Sequence, residues 1–426
     1  MKIAMLTNNY KPFVGGVPIS IERLAKGLEM LGHEVYIFAP TYENQKDEHN
    51  VIRYKSFSKK LAGFIVVPNC FDKIIEKKMK EFQIDIIHTH HPMAIGNVAL
   101  HLGKKLNIPV VFTYHTRYEE YLHYLVSNNV IKIVDFKDTS LWKSYICSNL
   151  LTRYIRSYAN KCDLIFAPSN QIKKDLLKKG IVTPIEILPT GVPAEMFDVD
   201  SVYSQKIREH YIGDKKYMFC TVSRLSREKN IDFIINGLYK LKNEIGDIFK
   251  FIIIGDGPEK KKLEKLCKNL DLQENVFFVG EKPNSLIKEY QGASDLFLFA
   301  STSETQGIVL VEAMATGLGV IAVKSPGVND IVKDKFNGIS TEGNINKWVE
   351  AIENVILDTD LKITIHNGAY ETAKQYSCMS VALVAENFYH EVIKEKKNRE
   401  HGRKLNDYKF IKKSVSIWNH QIFKKS

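Results

Sequence analysis

The sequence predicts an α/β protein built from two doubly wound parallel sheets. Three observations carry that expectation. Short apolar strands alternate with amphipathic helical stretches. The alternation stops and restarts near the middle of the chain. The length, 426 residues, exceeds a single core at about 100–200 residues per domain.

The first series opens with a buried-type strand at Lys2–Leu6, a loop from Asn8 to Pro18 carrying the Gly15-Gly16 pair, and a helix over Ile19–Leu31. That helix has apolar residues at Ile21, Leu24, Leu28 and Leu31, and Gly32 stops it. Strands follow at Glu34–Pro40, Asp85–His88, Pro109–Thr113 and Asp163–Ala167, with a helix over Ala94–Leu106. The second series runs through a strand at Tyr217–Ser223 and a helix at Ile231–Leu241. A strand at Phe249–Ile254 then ends in Gly255-Asp256-Gly257-Pro258, and strands at Val276–Val279, Asp295–Phe299 and Val320–Val323 complete it. The boundary is expected near Pro193–Gly213. Ligands in such sheets bind beyond the carboxyl ends of the strands, so two facing sheets imply a cleft between the domains.

Composition narrows the class. The chain is 44% hydrophobic and 26% charged, which excludes a disordered or fibrous protein. No stretch approaches the roughly 20 apolar residues of a membrane-spanning helix, and no signal peptide is recognisable. The six cysteines show no metal or redox spacing, so structural disulfides are not expected and a reducing cytoplasm fits. The net charge of +11 points to an anionic partner. It is concentrated in two blocks, net +6 over 53–80 and net +8 over 394–426. Apolar residues accompany both: Phe57, Leu61, Phe64, Ile65, Val66 and Val67 in the first, Phe410, Ile411, Val415, Trp418 and Ile422 in the second. Each block reads either as a solvated face or as a surface for anionic lipid, and the stripe in the second could instead dock on the protein itself. No stacked-aromatic or helix-turn-helix arrangement supports nucleic-acid binding.

Candidate chemistry clusters at strand ends. Glu304 lies on the loop after the strand Asp295–Phe299. Gly307 permits close approach, and a helix over Ile308–Thr316 carries Glu312. The free N–H groups at that helix's start suit a diphosphate. Arg224 and Lys229 lie on another strand-to-helix loop, where a guanidinium fork and an ammonium can neutralise and stabilise a departing diphosphate; an exposed basic turn is the plainer alternative. The Gly15-Gly16 loop lacks the dinucleotide-fingerprint spacing, which disfavours a nicotinamide enzyme. His88, His90, His91 and His115 sit at strand ends without the acidic or thiol partner a metal site needs. His115 is placed either to bond a polar ligand or to serve the core.

Taken together, Thr302-Ser303-Glu304-Thr305-Gln306-Gly307-Ile308-Val309-Leu310-Val311-Glu312, with Arg224, Lys229 and Gly16, resembles the family 4 retaining glycosyltransferases of GT-B fold, whose two Rossmann-like domains face each other. The likeness covers about residues 1–395. Three further stretches resemble bacterial diacylglycerol glucosyltransferases, which build glycolipids from UDP-glucose. They are His88-Thr89-His90-His91-Pro92, Thr113 through Tyr124, and Pro189-Thr190-Gly191-Val192.

The resemblance implies an acceptor-binding domain at 1–195, a linker at 196–215 and a nucleotide-sugar-binding domain at 216–375. A helix at 376–396 would cross back to the first domain, ahead of a basic extension at 397–426. It implies that Glu304 holds the donor sugar, Glu312 the ribose, and Arg224 and Lys229 the diphosphate. Gly16 would approach the diphosphate from the first domain, and His115 would touch the sugar near the reacting carbon. Ile308 and Val309 would offer backbone N–H groups, and the base would lie near Val279. It further implies a metal-independent hexosyltransferase with no cofactor beyond the nucleotide-sugar donor, at the inner face of the cell membrane. Other acceptors (a polysaccharide, a protein, a small polyol) and a sugar-nucleotide epimerase of the same fold are the alternatives. Pro18 and Gly319 depart from the family pattern: a small or polar residue is usual at the first position and Pro at the second.

Overall fold

The structure, a computed structural model, describes residues 1–400 except 14, 62–64, 70–71, 116–140 and 303; at 57–61, 65–68, 141–148 and 400 it describes the backbone alone. The chain divides into two units. Met1–Pro168, Lys173–Leu188 and the chain from Met379 form the first; Ser169–Ile172 and Pro189–Cys378 form the second.

The first unit carries strands β1 (Lys2–Leu6), β2 (Glu34–Pro40), β3 (Val51–Tyr54), β4 (Ser56–Leu61), β5 (Ile65–Pro68), β6 (Ile86–Thr89), β7 (Val110–Thr113), β8 (Leu164–Ala167) and β9 (Ile185–Ile187). Among the described residues, seven of them form one sheet in the order β3-β2-β1-β6-β7-β8-β9, parallel throughout. β4 and β5 pair separately and antiparallel. Helices α1 (Gly16–Met30), α2 (Ile74–Phe82), α3 (Ile95–Leu106), α4 (Leu141–Ala159) and α5 (Asn170–Lys178) connect them. The central strands β6, β7 and β8 are buried at every position, as expected where helices cover both faces.

Helix α1 begins three residues earlier than its apolar spacing predicts. Pro18 is therefore its third residue rather than a residue ahead of it. An N–H in the first turn has no intrahelical acceptor, so proline loses nothing there. Gly32, at φ 84°, follows the helix end as expected.

The second unit holds α6 (Ser201–Ile212), β10 (Tyr217–Val222), α7 (Ile231–Ile245), β11 (Phe249–Ile254), α8 (Lys260–Asn269), β12 (Val276–Gly280), α9 (Asn284–Gly292), β13 (Leu296–Phe299), α10 (Ile308–Ala315), β14 (Val320–Val323), α11 (Pro326–Ile331), β15 (Gly338–Thr341), α12 (Ile345–Leu357) and α13 (Thr359–Gln375). Its parallel sheet runs β12-β11-β10-β13-β14-β15. Trp348 of α12 is fully buried against Gly237 of α7, where a Cβ would stand 2.5 Å from the indole ring. Gly319 has a similar cause: a Cβ there would come within 2.6 Å of Ile365 of α13. Its glycine is thus a packing requirement of this chain.

The last helix, α14 (Cys378–Glu400), buries Val381, Ala382, Ala385, Phe388, Tyr389 and Val392 in the first unit's core beside Ile3, Met5, Leu164 and Phe166. In each sheet the strand order reverses beside its first strand, between β1 and β6 and between β10 and β13. Such switch points are where loops part and open a ligand crevice at the carboxyl edge.

Candidate functional site

The second unit's switch point gathers most of the charged residues singled out from the sequence. After β10 the chain passes through Arg224 into a short 3-10 turn, Arg227–Lys229. After β13 it passes through Glu304 and Gly307 into α10. The two loops are joined: Thr302 N–H donates to the Glu228 carbonyl at 3.0 Å, and Lys229 Nζ donates to Glu304 Oε1 at 2.5 Å. The Lys229 and Glu304 side chains retain 23% and 15% of their exposure, so the pair is screened from water yet open to a ligand. Burial acts to raise the Glu228 carboxyl, but the Ser226 hydroxyl, a backbone amide and the charges of Lys229 and Arg224 hold it below the ordinary value. Arg224 itself is exposed.

Gly307 caps α10 in the left-handed region (φ 74°), a conformation that favours glycine. The amides of Ile308 and Val309 lead the helix without intrahelical acceptors. They form the kind of N-terminus that binds phosphate. Glu312 lies one turn further along the same helix, partly buried. Val279 is the last residue but one of β12, and the Gly255 N–H donates to the Gly280 carbonyl at 2.9 Å. Lys229, Glu304, Gly307, Ile308, Val309 and Glu312 therefore share one loop pair and its helix. Arg224 stands on the same loop as Lys229, and Val279 lies at the far strand of the same edge.

Three supports of this edge escaped the sequence reading. At Gly255 (φ 133°) a Cβ would sit 2.0 Å from the Ser223 carbonyl oxygen, and at Gly257 one would sit 2.3 Å from that of Leu225. The Gly-Asp-Gly turn is thus pressed against the loop that carries Arg224. At Gly327 a Cβ would fall 2.9 Å from the Glu304 Cβ and 3.1 Å from the Gly307 nitrogen, so a bare backbone underlies Glu304. Gln306 accepts from the Thr190 N–H (2.9 Å) and donates to the Thr190 carbonyl (3.2 Å), anchoring the loop next to Gly307. Paired glycines and a glutamine inside the motif were the available signals.

In the first unit, Gly16 is exposed at the start of α1, with open space where a Cβ would stand, and His115 follows β7. The histidines form a chain of contacts. His91 Nδ1 accepts from the Asn8 N–H at 3.2 Å and lies 3.3 Å from Thr7 Oγ1, tying β6 to β1 at the switch point. His88 bonds Tyr389 Oη through Nδ1 (2.7 Å) and Thr113 Oγ1 through Nε2 (2.6 Å). His90 Nδ1 and His115 Nε2 are 2.9 Å apart. Burial pushes His88 and His115 down to about 3 and His91 to about 4, and holds His90 well below its usual value. All four are neutral imidazoles.

The basic block at 53–80 presents Lys73, just ahead of α2, and Lys77 and Lys80 along it to solvent, while Ile75 and Met79 face the core. The apolar side chains proposed beside it, from Phe57 to Val67, lie outside the described residues. So do Thr116–Tyr124 of the motif after His115 and the stripe from Phe410 to Ile422. The second block is described only to residue 400, where Arg399 pairs with Asp163 at 3.3 Å. Among the described residues no helix is long and apolar enough to cross a membrane.

Two family models match the chain along its two halves: "Glycosyltransferase Family 4" over residues 14–196 and "Glycosyl transferases group 1" over 203–372. The alpha-monoglucosyldiacylglycerol synthase of Streptococcus pneumoniae is 29% identical over 411 residues, covering 93% of this chain and 89% of that protein. The alpha-monoglucosyldiacylglycerol synthase of Acholeplasma laidlawii is 28% identical over 413 residues, covering 95% and 100%. The crystal structure of Anabaena Alr3699/HepE in complex with UDP superposes with a TM-score of 0.69 at 20% identity, covering 92% of this chain and all of that one. With both halves matched and two parallel Rossmann-like sheets in place, the chain belongs to the family 4 and group 1 glycosyltransferases of GT-B fold.

Proposed function

We propose that the protein transfers glucose from UDP-glucose to a membrane lipid such as 1,2-diacylglycerol, with retained anomeric configuration and without a metal ion, giving an α-glycolipid. The names of the two bacterial synthases support the acceptor and the sugar, and the UDP held by the Anabaena protein supports the nucleotide. The observation that carries the reading is the Lys229–Glu304 pair at 2.5 Å beside the start of α10.

In this mechanism Lys229 serves two groups. One of its three N–H bonds fixes the Glu304 carboxylate for the donor sugar hydroxyls, and the others are available to phosphate oxygens. Arg224 and the amides of Ile308 and Val309 share the diphosphate charge as it grows on departure. Glu312 takes the ribose, the base lies near Val279, and Gly16 and His115 are the first unit's contributions. UDP departs from the face the acceptor attacks. A diphosphate oxygen accepts the acceptor hydroxyl's proton as the old glycosidic C–O bond breaks and the new one forms. The exposed lysines of α2 and the basic block at 394–426 hold the enzyme at an anionic, inner membrane surface, where each contributes about 1 kcal/mol.

The test is product analysis with purified protein, anionic vesicles containing diacylglycerol, and a panel of radiolabelled nucleotide sugars. Label in the lipid phase from UDP-glucose alone is the expected result, with an α-anomeric proton in the NMR spectrum of the product. UDP release with unlabelled lipid would reject the lipid acceptor, and donor isomerisation with no acceptor present would favour the epimerase.

A further inference from the structure

We propose that His90 is a positioning residue for the transfer: its Nδ1–H donates to His115 Nε2 and so holds His115 as the tautomer that offers its own Nδ1–H to the donor sugar. The inference rests on the reading of His115 as a donor-sugar contact.

The two rings can share one proton in two ways. If His115 Nε2–H donated to His90 Nδ1, neutral His90 would carry its remaining proton on Nε2. That atom is buried and has no partner among the described residues, in a side chain 1% exposed. An orphaned N–H in the interior is rare and costly. With the proton on His90 Nδ1 instead, the unpartnered atom is a bare lone pair, no donor is stranded, and the 2.9 Å contact is made. His115 then accepts through Nε2 and, being neutral, must carry its proton on Nδ1. Among the described residues no partner engages that nitrogen.

His90 is itself held. Its ring packs 4.3 Å from His88, which Tyr389 and Thr113 grip at both nitrogens. Burial keeps His115 neutral at working pH. A partner, rather than solvent, therefore decides which nitrogen is protonated, and a neutral donor adds no repulsion to the positive charge that develops on the sugar.

The experiment uses full-length protein labelled with 15N-histidine, without substrate, and reads the two-bond 15N–1H pattern that distinguishes the tautomers. A His115→Gln variant identifies the signals. The wild type is expected to show His115 protonated on Nδ1. In His90→Phe that form should give way to a mixture, with kcat falling about 10- to 100-fold, less than the 10²–10³ of deleting a donor outright. His90→Asn can place an N–H where Nδ1–H stood. It should restore the wild-type tautomer and most of the rate. His115 protonated on Nε2 in the wild type would overturn the proposal with no variant needed. So would an unchanged tautomer in folded His90→Phe. A shifted tautomer with undiminished rate would also overturn it, while leaving intact the donor-site reading that stands on Lys229 and Glu304.

Discussion

Lowering the pH from 7.5 to 5.0 costs the first unit a stability that can be worked from His88 and His90. Both are enclosed, 0% and 1% exposed. Burial holds His88 at about 3 and His90 well below its usual value, whereas in the unfolded chain each takes up a proton near pH 6.5. The unfolded state thus binds protons that the native state refuses, and stability falls as acid is added. The contribution is complete above about pH 6.5 and declines below it, until the folded groups themselves protonate. Between pH 6.5 and 5.0 each histidine costs about 2 kcal/mol, at about 1.4 kcal/mol per pH unit. The pair costs about 4 kcal/mol, a large share of a typical 5–15. His91 and His115 act in the same direction. Hydrogen exchange, followed on peptides from β6 and β7, reads this unit alone. After correction for intrinsic rates, protection should drop at least about a thousandfold from pH 7.5 to 5.0, and about thirtyfold less than that in His88→Asn. Protection that does not change with pH would refute the neutral, enclosed histidine chain.

The second unit yields further expectations. Glu304→Ala should lower kcat about 100-fold or more while the circular dichroism spectrum is unchanged; near-normal turnover would remove Glu304 from the donor site. Arg224→Ala should raise the KM for donor and slow departure of the diphosphate, since a two-pronged phosphate contact is lost; initial rates over a donor series decide this. Gly327→Ala puts a methyl 2.9 Å from the Glu304 Cβ. It should cost about 1–3 kcal/mol in thermal unfolding and reduce kcat with it. Asp295 joins Arg208 (2.9 Å), Lys362 (2.7 Å) and the Met218 N–H (2.9 Å). Asp295→Ala should therefore cost about 3 kcal/mol, the low end for a buried pair because both cations keep some water contact, read from urea unfolding.

Much of the architecture was legible because local pattern and burial agree. Lys2–Leu6, Glu34–Pro40, Phe249–Ile254 and Val320–Val323 are strands with the bounds their apolar runs imply. The short edge strands were not legible. Val51–Tyr54 carries an arginine, Ile185–Ile187 a glutamate, and Gly338–Thr341 opens on glycine. None has the continuous apolar signature of a strand buried on both faces. At the candidate site, Glu304 and Lys229 could be picked from motif residues, but their pairing spans 75 positions and only the sheet order brings it about. Gly327 and Gln306 act by fit against backbone, which leaves no local periodicity to read. Tyr389 reaches His88 across 301 residues, a distance at which one sequence carries no trace of contact.

That last bond has a consequence for the order in which the protein can be made. The second unit is almost one continuous stretch, Pro189–Cys378, and can close as it leaves the ribosome. The first unit is assembled from both ends of the chain. Its leading strands emerge first but lack the α14 side chains through Val392 that complete their core. At about 5–20 residues per second, β6 and β7 wait on the order of 10–60 seconds for them. The half that begins first is the half that finishes last, and during that interval its histidine-bearing strands depend on chaperones or on the neighbouring helices for cover.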